Sequence, residues 1–495
     1  MTVLIKQFTN VNRRYVYDAV TNSVMEICSV VSDALSLGPQ LNRAEITEQL
    51  RSKHGVTEVE RALEEVASAS QEGLFQPMKS EIAKSGRSFL CADDYESRLR
   101  HLVLTLTESC NNRCSYCIHE SDKPWVRTHS SVSMSKQSAL NALRYFAERC
   151  HETAHPVVSF YGGEPLLEFE LIRSLVLEAK SHTDWPSLQF TISTNGTLLN
   201  DEIIDFVLEH EIRLQVSLDG PEPIHDRHRT LADGRPTHQQ LEQTITTIIA
   251  RDTSFHSKMS YIATLAPPFD LKAISEHFKN FPPYKAAGID AHPKVVLNVV
   301  DLEGITLPDL FDMRDCSRAI YDARKEYVTS CTSDSREQIG PILTSQFEPD
   351  LIKFYHRSTS QLSPVYHATG TCAPGIRKLH VAVDGTYQPC ERVGQSIPIG
   401  HVNSGVDLNL MEEAVSTLYR AVSEQCQGCW ALRLCNLCLT AIAPLGTMTT
   451  DEAQEHIENC CVQSRAKAES TLKLYTSVLA ADQGGLDFLS HSVLE

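Results

Sequence analysis

Three cysteines fall within eight residues: Cys110, Cys114 and Cys117, in TESCNNRCSYCIHE, at the spacing C-x-x-x-C-x-x-C. Thiolates are soft ligands, and a group this tight can share one metal centre. Three of them can hold three corners of a [4Fe–4S] cube and leave one iron free. A zinc knuckle that borrows a fourth ligand such as His119 is the competing reading, because structural zinc takes four protein ligands. A redox C-x-x-C pair would leave the third cysteine without a role. Eight more cysteines crowd the last quarter of the chain: Cys372, Cys390, Cys426, Cys429, Cys435, Cys438, Cys460 and Cys461. Cys28, Cys91, Cys150, Cys316 and Cys331 are isolated and read as ordinary thiols.

The rest of the composition narrows the setting. The chain has 495 residues, 42% of them hydrophobic, and a formal net charge of −18. Such a chain folds into a globular protein of several domains. Its acidic balance argues against a nucleic-acid groove. No apolar run approaches the roughly 18 to 20 residues of a membrane span, and the start MTVLIKQFTNVNRR lacks the apolar core of a signal peptide. A cytoplasmic location is therefore expected, with no membrane partner. Structural disulfides are rare there, so sixteen cysteines point to metal or cluster ligation.

The elements that must position these residues follow from periodicity. Residues 1–76 read as a small separate unit. VLIKQF and RRYVYDA are strands, DAVTNS is a turn before VMEICSVV, and helices run over 43–54 and 56–73. Thr57 with Glu60 reads as a capping box. Strands followed by short helices describe a winged helix. Residues 77–100 read as a polar linker.

From residue 101 strands and helices alternate. HLVLTLT, PVVSFYGG, LQFTISTNG, IRLQVSLDG, SKMSYIATLA and KVVLNVVDL are the expected strands. SKQSALNALRYFAERC, PLLEFELIRSLVLEAK, LNDEIIDFVLEH and DLKAISEHFKNF are the expected helices. This rhythm predicts a parallel sheet with right-handed crossovers. Cys110, GGEP, STNG and SLDG all fall at the C-terminal ends of successive strands, where α/β sheets place their sites. Residues 302–370 read as a helical bridging region. Residues 371–470 read as a cysteine-rich unit with short strands (LHVAVDG, TYQPC) and little helix before Asp451–Ser470, and 471–495 as a tail.

The loop C-x-x-x-C-x-aromatic-C after a first strand, with Tyr116 as its aromatic, resembles the radical S-adenosylmethionine (SAM) family over about residues 101–300. The fold this implies is α/β, a partial (β/α)6 TIM-like barrel over 101–301. The resemblance implies a [4Fe–4S] cluster on Cys110, Cys114 and Cys117 whose open iron binds SAM. In the family the reduced cluster cleaves SAM to methionine and a 5′-deoxyadenosyl radical that abstracts hydrogen. Gly162 and Gly163 are then expected to let backbone approach the methionine moiety, as glycine permits. Glu164 is expected to pair with its amino group. Ser193, Thr194 and Asn195 are expected on the ribose and carboxylate, with Ser217 and Asp219 at the fourth strand end. Arg229 in HDRHR is a candidate for the carboxylate. Taken singly, GG and DG are common turn dipeptides.

The C-terminal cysteines resemble a SPASM domain, an extension of radical SAM enzymes that modify peptides and proteins. The family pattern is C-x(9–15)-G-x4-C, then C-x2-C-x5-C-x3-C, then C. Here CAPGIRKLHVAVDG, TYQPC and CQGCWALRLCNLC follow it, except that Cys435 and Cys438 are separated by two residues, not three. The resemblance implies two auxiliary [4Fe–4S] clusters, giving three in all. The first would use Cys372, Cys390 and Cys438. The second would use Cys426, Cys429, Cys435 and one of Cys460 or Cys461, with Cys461 preferred. Position 366, where some relatives carry a cysteine, is Tyr366. An open iron there could bind a substrate thiolate, or Cys460 could complete the set. Paired zinc sites remain the other reading, since thiolates alone do not distinguish zinc from iron.

A winged-helix unit ahead of such a core resembles the precursor-recognition element of ribosomal-peptide maturases, which takes a leader peptide as an added strand. A packing or oligomerisation role is the plain alternative. The expected activity is radical crosslinking of a ribosomally made precursor, most simply a cysteine thioether, in the manner of sactipeptide and ranthipeptide maturases. Carbon–carbon cyclophane formation and side-chain oxidation to formylglycine or a quinone-type cofactor are alternatives. A non-catalytic zinc adaptor is the alternative outside the class. Glu391, directly after Cys390, is a candidate base or a solvated carboxylate. A precursor peptide or small protein and an electron donor such as flavodoxin or ferredoxin are the expected partners.

Overall fold

The computed structural model describes residues 3–38, 41–120, 123–300, 313–331, 336–481 and 486–491. The first unit runs β1 (Ile5–Asn10), β2 (Arg13–Asp18) and β3 (Ser23–Ile27), an antiparallel sheet in that order. The β1–β2 turn residues Val11 and Asn12 both have positive φ, as a two-residue hairpin of this twist requires. The run VMEICSVV divides: its first half is β3 and its second enters α1 (Ser29–Ser36). Then come α2 (Arg43–His54) and α3 (Val56–Gln71). Ala34, Ile46, Leu50 and Val59 from these helices form a small core of their own.

The capping box lies elsewhere than expected. Asn42 and Glu45 exchange hydrogen bonds at the start of α2, while α3 begins on Gly55 at φ 80°. Thr57 is already inside α3, two residues past its N-cap Gly55. Residues 77–100 are also packed, which a free linker would not be. Here β4 (Glu81–Ile82) and α4 (Ala92–Ser97) form, Ile82, Tyr95 and Leu99 are buried, and Tyr95 Oη donates to Pro374 O at 2.8 Å.

The main sheet then builds from β5 (His101–Thr107), α5 (Lys136–Ala147), β6 (Val157–Gly162), α6 (Phe169–Ser181), β7 (Gln189–Thr194), α7 (Asp201–Glu209) and β8 (Arg213–Ser217). It continues through α8 (Glu222–His228), α9 (His238–Arg251), β9 (Met259–Leu265), α10 (Leu271–Lys279), α11 (Pro282–Ala286) and β10 (Lys294–Val299). All six strands β5 to β10 are parallel neighbours in chain order, the strand order of a (β/α)6 partial barrel. Along β6 and β7 every second residue (Val158, Phe160, Phe190, Ile192) is buried in the core. The alternate residues Ser159, Tyr161, Thr191 and Ser193 keep partial exposure on the opposite face. The helix α9 is absent from the expected set. Its β-branched run TITTII suggests a strand, but Leu241, Ile245, Ile248 and Ile249 share one buried helical face.

After β10 come α12 (Met313–Ser330) and α13 (Pro341–Tyr355); of the expected bridging region, 302–312 and 332–335 lie outside the described residues. Then β11 (Val365–Tyr366) pairs with β4. The strand β12 (Leu379–Val381) joins the main sheet in parallel beside β5, followed by antiparallel β13 (Thr386–Gln388), β14 (Gly400–His401) and β15 (Gly405–Val406). One ten-stranded sheet thus carries both the first cysteine loop, after β5, and the Cys390 turn, after antiparallel β13 two strands away.

The cysteine-rich stretch holds more helix than expected. The helix α14 (Leu408–Cys426) is capped by Asp407 and buries Met411, Val415, Leu418, Tyr419 and Val422. The helix α15 (Thr450–Ala481) runs 32 residues, well into the expected tail, of which 482–485 and 492–495 lie outside the described residues. It also clamps the first unit: Asn10 Nδ2 donates to Lys473 O at 2.7 Å and to Thr476 Oγ1 at 2.8 Å, and Lys6 pairs with Glu469. Among the described residues no helix is long and apolar enough to cross a membrane.

Candidate functional site

The first cysteine loop leaves β5 and is held from both sides. Arg113 N donates to Thr230 O at 2.9 Å and Ser115 N to His228 O at 3.0 Å, so the loop is strapped to the segment after α8. The tight approach of β6 fixes the other side. A Cβ on Gly162 would lie 2.4 Å from Thr107 O, and one on Gly163 would lie 2.1 Å from Ser109 O. The two glycines are therefore required by the backbone that leads into Cys110. Burial raises the thiol pKa values of Cys110 and Cys117 and pushes that of Cys114 up to about 11. Buried thiols of this kind are quiet until a metal takes the proton's place.

The strand ends form a closed polar network. Glu164 is buried and accepts from Leu166 N, Thr194 Oγ1 (2.7 Å) and Asn195 N (2.8 Å). Desolvation raises its pKa to about 7. Both its oxygens accept hydrogen bonds inside the protein, so it brackets the ends of β6 and β7. Asn195 Nδ2 donates to Asn111 Oδ1 at 2.9 Å and lies 4.0 Å from Cys110 Sγ. Ser193 Oγ donates to Gln215, and Ser217 ends β8 half-buried in register with Ile262. Asp219, fully buried, accepts from Arg229 Nε at 3.0 Å, from Thr264 N at 2.9 Å and from Tyr116 Oη. Arg229 Nη1 is 3.9 Å from Cys114 Sγ. Burial works against its charge, but Asp219, Tyr116 and Cys114 outweigh this and raise its pKa. Burial raises Tyr116 well above the ordinary tyrosine range.

Asn195, at the end of β7, and Arg229, at the end of α8, thus lie beside Cys110 and Cys114. His119 does not face the thiols as a fourth ligand would; its Nδ1 sits 3.1 Å from Arg127 O. Sequence reasoning passed over His129, whose Nε2 is 3.6 Å from Cys117 Sγ. It lies twelve residues away with no spacing signal to link the two.

The eight later cysteines separate into two groups and a remainder. Cys426, Cys429, Cys435 and Cys461 line one small cavity, partly open to solvent, with Leu432 and Arg465. Cys460 is not on that wall; its Sγ is 3.5 Å from His456 Nε2. Cys372, Cys390 and Cys438 stand near enough to act on each other electrostatically, and burial with neighbouring charge pushes Cys390 up to about 11. Tyr366 stands near enough to Cys435 and Cys426 for their charges to act on it. Among the described residues no three His, Cys, Asp or Glu side chains meet closely enough to hold a single metal ion. A cube needs no such convergence, because each thiolate binds a different iron. Both sets fit that donor chemistry.

Glu391 is neither a free base nor a solvated carboxylate. Its Oε1 pairs with Lys378 Nζ at 2.6 Å. Burial opposes ionisation, yet Lys378 holds its pKa below the usual range, which makes it a weak base.

Residues 104–276 match the family model described as the Radical SAM superfamily. The chain is 32% identical over 139 residues to an uncharacterized protein of Methanocaldococcus jannaschii, covering 28% of this chain and 45% of that protein. It is 28% identical over 179 residues to the cysteine-type anaerobic sulfatase-maturating enzyme of Clostridium novyi, covering 33% and 47%. The chain spans about half the length of these curated relatives. In fold it is similar to native anSMEcpe with bound AdoMet and Kp18Cys peptide, at a TM-score of 0.55 and 16% identity, covering 79% of this chain and 99% of that one.

Proposed function

We propose that this chain, which carries a radical SAM domain over residues 104–276, is a maturase that modifies a ribosomally made peptide or small protein. The observation that carries the reading is the placing of two cysteine groups on one sheet. Cys110, Cys114 and Cys117 follow β5, and Cys390 follows β13, two strands away through β12. Cys110, Cys114 and Cys117 would hold the first [4Fe–4S] cluster, and Asn195 and Arg229 border the side where SAM would sit. When bound, this pair supplies a hydrogen-abstracting radical. Cys426, Cys429, Cys435 and Cys461 would hold one auxiliary cluster, and Cys372, Cys390 and Cys438 three corners of the other. Asp219 keeps Arg229 charged and oriented beside Cys114. Glu164 fixes the β6 and β7 ends. An external one-electron donor such as flavodoxin or ferredoxin would serve the first cluster.

The first unit would present the substrate. Its strand β3 is an edge of the three-stranded sheet, a place where a peptide can add as a further strand. For the product, the three-thiol auxiliary set supports a thioether: an open corner suits a substrate cysteine. The name of the Clostridium novyi relative supports the second reading, oxidation of a cysteine to formylglycine.

Anaerobic reconstitution tests the class. The expected result is a brown protein with broad absorbance and about twelve irons per chain, from three cubes. Colourless protein with stoichiometric zinc would sink it. Mass spectrometry of a precursor co-expressed with the enzyme separates the products. A thioether removes two hydrogens and blocks alkylation of the cysteine, whereas formylglycine loses the sulfur altogether.

A further inference from the structure

Among the described residues, Arg127 is the one arginine beside the first cysteine loop whose terminal nitrogens have no hydrogen-bond partner. Both nitrogens are buried. Its backbone is fixed on both sides. Arg127 O meets His119 Nδ1 at 3.1 Å, two residues beyond Cys117, and Trp125 O accepts from Gln395 N at 3.0 Å. The second tie is close-packed: a Cβ on Gly394 would lie 2.0 Å from Trp125 O. Residues 123–129 therefore strap the first cysteine loop to the turn that carries Cys390 and Glu391, and they return to Cys117 through His129. The charged groups that bear on the guanidinium are Tyr161, Glu108, Cys117 and Cys110. Glu108 already accepts from Ser130 Oγ at 2.6 Å, and Glu391 is paired with Lys378. A buried guanidinium left without a partner is costly, and the strap holds it in place regardless.

We propose that Arg127 is a positioning residue for electron uptake: a fixed, buried positive charge that favours the reduced state of the cluster on Cys110, Cys114 and Cys117. This rests on the reading of those cysteines as cluster ligands. Reduction adds one electron from an external one-electron donor, and so one negative charge, with no proton and no bond change. A cation held close by in a medium of low dielectric lowers the free energy of the more negative state. Arg229 cannot do this to the same extent, because Asp219 cancels its charge.

The test is an EPR-monitored redox titration of the anaerobically reconstituted full chain, with mediators and dithionite. The signal that changes on adding S-adenosylmethionine identifies the cluster with the open iron. For Arg127→Met the reduction equilibrium should shift about tenfold toward the oxidised state, a midpoint about 59 mV more negative for a one-electron couple. Arg127→Lys should keep the wild-type midpoint within a few-fold. Arg127→Gln, which keeps a polar side chain of similar reach without the charge, should follow Met and serves if Met disturbs folding. A wild-type midpoint in Met or Gln at full iron content overturns the proposal, and so does a Lys variant that falls with them. A wild-type chain that takes up no iron overturns the cluster reading itself.

Discussion

Two arginines bear on the first cysteine loop, and the protein treats them differently. Arg229 lies beside Cys114 with its charge answered by Asp219, which also takes Tyr116 and Thr264 N. Arg127 lies on the Cys110 and Cys117 side with both terminal nitrogens unanswered. The strand-end side is thus complete within the chain: each carboxylate there has two or three donors. The strap side is incomplete, and it adjoins the Cys390 turn. A self-satisfied network gives rigidity, while an unsatisfied one stores a preference for whatever charge develops next to it.

The coarsest way to break this comparison is to remove what both arginines face. Cys114→Ala should reduce 5′-deoxyadenosine formation under reductant to background, because a cube with two protein thiolates does not hold an ordered open site. Product chromatography checks it, and persistent formation would show that the first cluster lies elsewhere. Next in size is Asp219→Ala, which would give Arg229 the same orphaned state as Arg127. Losing one partner of a buried pair should cost about 3–5 kcal/mol, read as a lower denaturant midpoint. A cost under about 1 kcal/mol would mean that Arg229 is not held by Asp219, and that the two arginines do not differ in kind. Smaller again is Gly163→Ala, which presses a methyl onto Ser109 O in the loop that both arginines bear on. Overpacking of this kind should cost about 1–3 kcal/mol and lower iron uptake, checked by denaturation and metal analysis.

The two sides also differ in how far the sequence reveals them. The strand ends are legible because each carries its chemistry next to its own hydrophobic run: GGE after VVSFY, STN after LQFTI, SLD after IRLQV. The six parallel strands appear where that periodicity places them. The functions of the glycines and of Glu164 are less legible, since their requirement comes from Ser109, Thr107 and Asn195, which are distant in sequence. The strap is hidden for the same reason. Nothing near Arg127 announces that Gly394, some 270 residues on, will pack against Trp125. The short β12 is readable as a strand, but its parallel pairing beside β5 is a long-range event. The helix α14 carries an apolar stripe of Met411, Val415, Leu418 and Val422 at helical spacing, legible in the sequence ahead of the Cys426 group.

The finest contrast concerns protons. Behind Asp219 the rings of His225, His238 and His277 stand in a row, with centroids 5.6 and 5.9 Å apart. His225 Nδ1 accepts from Asp219 N, so this row backs the self-satisfied side. Burial lowers the pKa of His225 well below the ordinary value and takes His277 down to about 4, with His238 adding to both. Each is held neutral in the folded state, whereas the unfolded chain protonates it near its ordinary pKa of about 6.5. The unfolded state therefore binds more protons as pH falls. The stabilisation is complete above about pH 6.5 and is lost between there and about pH 4. His277 alone should contribute about 2 kcal/mol of that loss by pH 5. His277→Gln keeps a polar side chain but cannot titrate, so its stability should fall less steeply than wild type over that interval. Denaturant melts at pH 7, 6 and 5 check it. Parallel curves for the two proteins would show that His277 is not held neutral, and that the side behind Arg229 is no more closed to charge than the side that holds Arg127.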